Sequence, residues 1–192
     1  MQNRAIHLGI LFMALPMLLG SGIRGDLPED LHYPDRRMLI RTVLEGLELW
    51  SPDVEELVLR TGAVESLYLF RAGLNDAPER GFWQIHPQTA ADVLFRYLNL
   101  PSKAGRKARL ERMLGYSLDT LDEDRLLLEH ELRTNDILGV SICRLWYLLS
   151  PYRIPKAEHV RSQGWLWKRW FNTSQGAGTI NYFIETVNRL DI

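Results

Sequence analysis

The chain has 192 residues, 46% of them apolar and 24% charged, which suits one domain with a core of its own. A formal net charge of -1 excludes the strong whole-chain field by which proteins gather nucleic acid. The single cysteine, Cys143, excludes an intramolecular disulfide, so the fold must rest on packing.

Residues 1–25 begin with Arg4, the apolar run AIHLGILFMALPMLLG and the small residues Gly20, Ser21 and Gly22. That is the charged, apolar, small-residue order of a secretory signal, which predicts export to the periplasm or cell envelope. A membrane anchor is the alternative, although the run is short for a span and carries His7 and Pro16. A start at Met38 is a third reading. Residues 26–37, with two prolines, many charges and no apolar period, read as a linker.

Residues 38–192 then read as one mainly α domain. A first helix is predicted over 38–50. A second runs from 52 to about 68, with Ser51 as N-cap, Pro52 at its first position and Asp53 at the dipole end. Residues 71–86 are loop-like, with room for a short hairpin. Pro87 restarts a helix to about Leu98. Short charged helices follow over 102–133. Lys103, Arg106, Lys107, Arg109 and Arg112 are answered by Asp119, Asp122, Glu123 and Asp124, the pattern of a solvated helix and loop and no nucleic-acid stripe. Residues 135–149 form an apolar helix, with Cys143 as a buried, inert thiol. Pro155 can start a helix carrying WLWKRW, and a last helix covers 179–190. No internal repeat interrupts this order.

One residue breaks the pattern. Val54, Leu57, Val58 and Thr61 form a buried stripe at helical spacing, and Glu65 is its next position. Glu56 and Arg60 sit on the outer face as an i,i+4 pair. A carboxyl at the end of a buried stripe is partly desolvated, which raises its pKa and keeps its proton near neutral pH. The alternative is a helix-end carboxylate turned to solvent.

Glu65-Ser66 is followed, sixteen residues after the glutamate, by Gly81-Phe82-Trp83-Gln84-Ile85-His86-Pro87-Gln88-Thr89-Ala90. This order resembles the soluble lytic transglycosylases of the lysozyme superfamily. Their Glu-Ser ends a helix, and a Gly-Leu-Met-Gln-Leu-Met-Pro-x-Thr-Ala segment follows. Gly81, Gln84, Pro87, Thr89 and Ala90 fall at matching offsets, and His86 departs. Asn135 and Gly139 are similar to the family's Asn-Ile-x-x-Gly. Phe171-Asn172-Thr173-Ser174 stands where the family has Tyr-Asn-Ala-Gly, so a tyrosine hydroxyl is lost and Asn172 is kept. The four pieces cover about residues 39–190. The C-terminal stretches also look similar to phage- or prophage-encoded relatives, which implies virion proteins as alternative partners and the virion as an alternative location.

The resemblance implies a lysozyme-like fold, mainly α with a very small β component and a substrate cleft. It implies a peptidoglycan lytic transglycosylase that cuts the bond between N-acetylmuramic acid and N-acetylglucosamine, with Glu65 as acid and then base. Ser66, Gly81, Trp83, Gln84 and Asn172 are the expected substrate-binding residues. No cofactor or metal is expected, since the histidines show no ligand spacing. Trp83 is the leading candidate to stack on sugar, whereas Trp146, Tyr147, Trp165, Trp167 and Trp170 suit core packing. Gln84 reaches sugar or braces its loop. Gly81 allows a tight backbone approach. A hydrolysing lysozyme is an alternative. It needs a second carboxylate, and Asp76 and Glu79 lie in the right loop, where they otherwise read as solvated charges. A non-catalytic virion or glycan-binding protein of the same fold is the other alternative.

Overall fold

The computed structural model describes residues 33–73, 77–173 and 176–192. The segment read as signal or anchor, residues 26–32 of the linker, Asp76 and Ser174 lie outside the described residues. The architecture is mainly helical. The helices are α1 (Tyr33–Gly46), α2 (Pro52–Ser66), α3 (Pro87–Ala91), α4 (Ala104–Leu114), α5 (Asp119–Glu123), α6 (Arg125–Thr134), α7 (Asp136–Leu148), α8 (Val160–Leu166) and α9 (Ile180–Leu190). The π-helical turns Asp92–Tyr97 and Trp167–Phe171 prolong α3 and α8. Among the described residues, β structure is confined to two isolated antiparallel bridges, Ala72 with Arg80 and Arg80 with Ile85. No helix among them is long and apolar enough to cross a membrane.

The core forms around α2. Ser51 caps this helix by accepting from the Val54 amide, with Pro52 in the first turn. The expected stripe of Val54, Leu57, Val58 and Thr61 is buried. The opposite face is buried too, because α1, α7 and α9 all pack on α2. Arg60 therefore corrects the outer-face assignment. It is 7% exposed, and it donates to the Ala157 carbonyl at 2.6 Å and Gln163 Oε1 at 2.9 Å. Its i,i+4 partner Glu56 lies 3.7 Å away and is half-buried.

Three boundaries also differ from expectation. Helix α1 begins at Tyr33, inside the stretch read as linker, and ends four residues early at Gly46. Its first turns are charged because they meet other helices: Arg36 pairs with Asp136 on α7, and Arg37 with Glu55 and Glu56 on α2. Met38 thus sits within α1 and opens no element. Helix α8 starts at Val160, five residues after Pro155, since Lys156–His159 forms a turn.

The charged helix α4 behaves as read. Lys107 pairs with Asp119 at 2.7 Å and Arg109 with Glu48 at 2.6 Å. Cys143 is buried, and burial pushes its thiol up, away from the reactive thiolate.

Candidate functional site

Glu65 lies in the last turn of α2. The helix stops one residue beyond Ser66, where Leu67 and Tyr68 turn left-handed (φ 53° and 56°). Ser66 drives that stop. Its hydroxyl donates to the Gly62 carbonyl at 3.1 Å and accepts from the Tyr68 amide at 3.0 Å. Ser66 is fully buried, so its expected role as a substrate-binding residue is corrected to a brace for the helix end.

The Glu65 side chain is largely withdrawn from water. It is 8% exposed, and its Oε1 accepts the indole N–H of Trp167 at 2.7 Å. Desolvation raises its pKa to about 8 against the opposing effect of the Trp167 bond; Glu79 raises it further and Lys168 lowers it. With Oε1 accepting from Trp167, Oε2 is the oxygen left to carry a proton. The direction of this shift, and its cause in desolvation, are those expected of a carboxyl at the end of a buried stripe.

Glu79, one of the two loop acids named for a second carboxylate, departs from the alternative reading of a solvated charge. It is 3% exposed, not solvated, and its charge acts on both Glu65 and His86. It stands beside the bridge residue Arg80 at the stem of the turn 80–85. Burial lowers the pKa of His86 while the Glu79 charge raises it. His86 Nδ1 accepts from the Gln88 amide at 3.0 Å, so the histidine that departs from the family pattern caps α3.

The turn itself is built tightly. Arg80 and Ile85 exchange backbone hydrogen bonds at 3.0 and 2.9 Å. Gly81 has φ +72°, and a Cβ there would strike the Leu132 carbonyl, so the expected close approach is to α6 and not to a ligand. Gln84 has φ +43° and donates from Nε2 to the Gly81 carbonyl at 2.8 Å, which settles its amide on bracing.

Trp83 requires a second correction. It is 1% exposed, donates its indole N–H to the Val58 carbonyl at 2.9 Å and meets Tyr68 edge-on at 5.9 Å. It is a core residue and offers no face to a sugar. The same ring explains Gly139: a Cβ there would lie 2.8 Å from it. Asn135 caps α7 through the Leu138 amide. Phe82 lies between the guanidinium groups of Arg36 (4.2 Å) and Arg71 (3.8 Å), both of which pair with Asp136 at the start of α7.

Asn172 is 3% exposed and its Oδ1 accepts from Lys168 Nζ at 2.9 Å; Lys168 also donates to the Gly176 carbonyl at 2.6 Å. This corrects Asn172 from substrate binding to latching the loop after α8. Phe171 stacks on Tyr147 (5.4 Å), whose hydroxyl meets that of Thr61 at 2.9 Å, one turn before Glu65.

All four sequence pieces thus converge: α2, the 80–85 turn, α7 and the π turn after α8. Beside them lies a small surface pocket, partly open to solvent, lined by Gln84, Ile85, His86, Thr89, Ile142, Trp146 and Phe171. Glu65 is not in that lining; it lies one helical turn beyond Thr61, which Tyr147 joins to the lining residue Phe171. Gln84 borders this pocket even though its amide is spent on the turn. Trp146, read as core, also borders it and stacks on Trp170 at 5.3 Å. Among the described residues no group of three or more His, Cys, Asp or Glu side chains could hold a metal ion.

Trp167 is buried, as its core reading expects, and its indole also serves Glu65; Lys168 is the neighbour that the sequence reading does not single out. Its signal was the spacing in WLWKRW, where a helix that buries Trp167 must place Lys168 one residue on, within reach of Asn172 at i+4. No protein-family model, curated protein or solved structure matches the chain, so the functional reading rests on the chemistry of this site.

Proposed function

We propose that the protein is a peptidoglycan lytic transglycosylase that cuts the β-1,4 bond between N-acetylmuramic acid and N-acetylglucosamine, with Glu65 as its one acid/base. The observation that carries this reading is a buried carboxyl, pKa about 8, where the four segments meet. Glycoside cleavage needs a proton on the leaving oxygen as the anomeric carbon becomes oxocarbenium-like. Glu65 Oε2 delivers that proton. The substrate's acetamido group supports the anomeric carbon. The Glu65 carboxylate then takes the proton of the muramoyl C6 hydroxyl as O6 closes on the anomeric carbon, giving a 1,6-anhydro sugar without consuming water. The carboxylate formed midway is stabilised by the Trp167 indole N–H and by the charge of Lys168. On this reading the protein works in the periplasm or cell envelope, or in a virion if a phage encodes it.

Purified full-length protein on isolated peptidoglycan, with mass spectrometry of the released muropeptides, tests the proposal. Anhydro-muramoyl ends from the wild type and none from Glu65→Gln are expected. Cleavage that survives in Glu65→Gln contradicts it. A second reading, a hydrolysing muramidase, is favoured by the buried Glu79, which is a candidate base for water; reducing ends lost in Glu79→Gln would select it. A non-catalytic glycan-binding protein is favoured by Phe171 in place of tyrosine, and predicts retention on peptidoglycan without release.

A further inference from the structure

The stretch that carries Trp167 to Glu65 shows a different chemistry on its outer side. Residues 151–170 hold five lysines and arginines against one acid, Glu158; Lys156 pairs with Asp53 at 3.1 Å and Lys168 turns inward to Asn172, which leaves Arg153, Arg161 and Arg169 on the outer side. Arg161, Trp165 and Arg169 follow one another at i,i+4 spacing along α8 and its π extension, and all three are exposed. Trp165 is 43% exposed and Tyr152 is 37% exposed. Their rings meet edge to face at 4.9 Å, which brings the 151–153 turn and its exposed Arg153 against the same face. Among the described residues Arg153, Arg161 and Arg169 have neither an ion pair nor a side-chain hydrogen bond. Most of the other arginines and lysines among the described residues are engaged, for example Lys107 with Asp119, Arg109 with Glu48 and Arg80 with Glu129.

A large apolar ring kept in water costs solvation free energy, and three free guanidinium groups around it mark a site for an anionic partner. Two partner chemistries fit free cations beside exposed aromatics. Single-stranded nucleic acid would need a row of open ring faces on which successive bases stack. Here the two rings meet edge to face and leave a small apolar knob on a face that also carries Arg153, Arg161 and Arg169. That is the composition found where a surface helix meets a lipid headgroup layer: an amphipathic aromatic at the boundary, with arginines reaching the phosphates. We propose that the Arg161–Trp165–Arg169 face, extended by Tyr152 and Arg153, docks the protein on a membrane rich in anionic phospholipid. Trp167 and Lys168 leave the same helical stretch toward Glu65, so docking here would hold the glutamate niche close to the membrane. The proposal does not depend on what Glu65 does.

Co-sedimentation of the full-length protein with vesicles tests it. Vesicles of phosphatidylcholine alone are compared with vesicles of phosphatidylcholine and phosphatidylglycerol, at about 0.1 M and about 0.5 M salt. Binding to the anionic vesicles, weakened by salt and absent on the neutral ones, is expected. Arg161→Gln and Arg169→Gln should each weaken it about fivefold. Trp165→Ala should weaken it on the order of tenfold. Leu126→Ala, at an exposed position on α6, should leave it unchanged. The proposal is overturned if an Arg161→Gln/Arg169→Gln/Trp165→Ala variant sediments like the wild type, because residues 1–25 or another surface then hold the vesicle. It is equally overturned if neutral and anionic vesicles bind alike, or if a single-stranded oligonucleotide binds more tightly than the vesicles.

Discussion

The two ends of α2 each bury a glutamate, and the two acids behave oppositely. Glu55, in the first turn, is 2% exposed; Glu65, in the last, is 8% exposed. Each accepts an indole N–H, Glu55 from Trp50 at 2.6 Å and Glu65 from Trp167 at 2.7 Å. Burial pushes the Glu55 pKa up, yet Arg41, Trp50 and Arg37 together hold it below the ordinary glutamate value. Glu65, with no arginine and with the Glu79 charge nearby, rises to about 8. The helix dipole adds to the contrast, since its positive end favours a charged Glu55 and its negative end disfavours a charged Glu65. Burial and an indole are therefore not enough to keep a carboxylate ionised. The Arg41 fork, with bonds of 2.8 and 2.9 Å, makes Glu55 a structural anion, and its absence leaves Glu65 an acid.

The sharpest way to break this comparison is to neutralise each acid in turn. Glu65→Gln should lower peptidoglycan cleavage by at least about a thousandfold, in the range of a lost general acid. Glu55→Gln should leave cleavage per folded molecule within about twofold of wild type. Release assays on both variants, normalised to folded protein, check this.

Stability against pH sharpens it next. The folded pKa of Glu65 lies above its unfolded value of 4.5, so between pH 4.5 and about 8 the native state holds more protons than the unfolded one. Wild-type stability should fall as pH rises through that window, by about 1.4 kcal/mol for each unit of displacement at most. Glu65→Gln lacks this loss, so its stability relative to the wild type should grow from pH 5 to pH 9. Glu55 has the opposite sign: its folded pKa is depressed, so its contribution is present above the unfolded pKa and is lost as pH falls through the folded one. Glu55→Gln should therefore cost most at neutral pH and least in acid. Urea unfolding across pH reads both trends.

Two smaller changes separate the forces on Glu65. Glu79→Gln removes a charge that raises its pKa, and should move the alkaline limb of kcat/KM to lower pH. Trp167→Phe removes a bond that lowers it, and should move the limb to higher pH. Limbs that move the same way would contradict the assignment. Smallest of all, Trp83→Phe should cost about 1 kcal/mol of stability for the lost bond to the Val58 carbonyl and leave glycan binding unchanged.

The sequence made Glu65 legible because its signal is local: a charge at the next position of an apolar stripe, at the end of a capped helix. Helix α7 and the buried thiol of Cys143 were legible for the same reason. What escaped notice depends on contacts between distant segments. Glu79 reads as a loop charge until the 80–85 turn folds it inward. Arg60 reads as exposed until α9 and the 155–163 segment close over it. Trp83 occupies a motif position that suggests a sugar, but the ring fills the space left by Gly139 on another helix. Ser66 and Asn172 match a pattern whose residue types are also those of a helix stop and a loop latch. The start of α1 was hidden because its charges serve Asp136, Glu55 and Glu56, a hundred or fewer residues away, and give no apolar period.

The central claim is that Glu65 still holds its proton at neutral pH. Carbon-13 NMR of side-chain-labelled glutamate, with Glu65→Gln used to assign the resonance, measures that directly. The account predicts a Glu65 carboxyl titrating near pH 8, with Glu55 already ionised well below it. A Glu65 midpoint at the ordinary glutamate value, near 4.5, would contradict it.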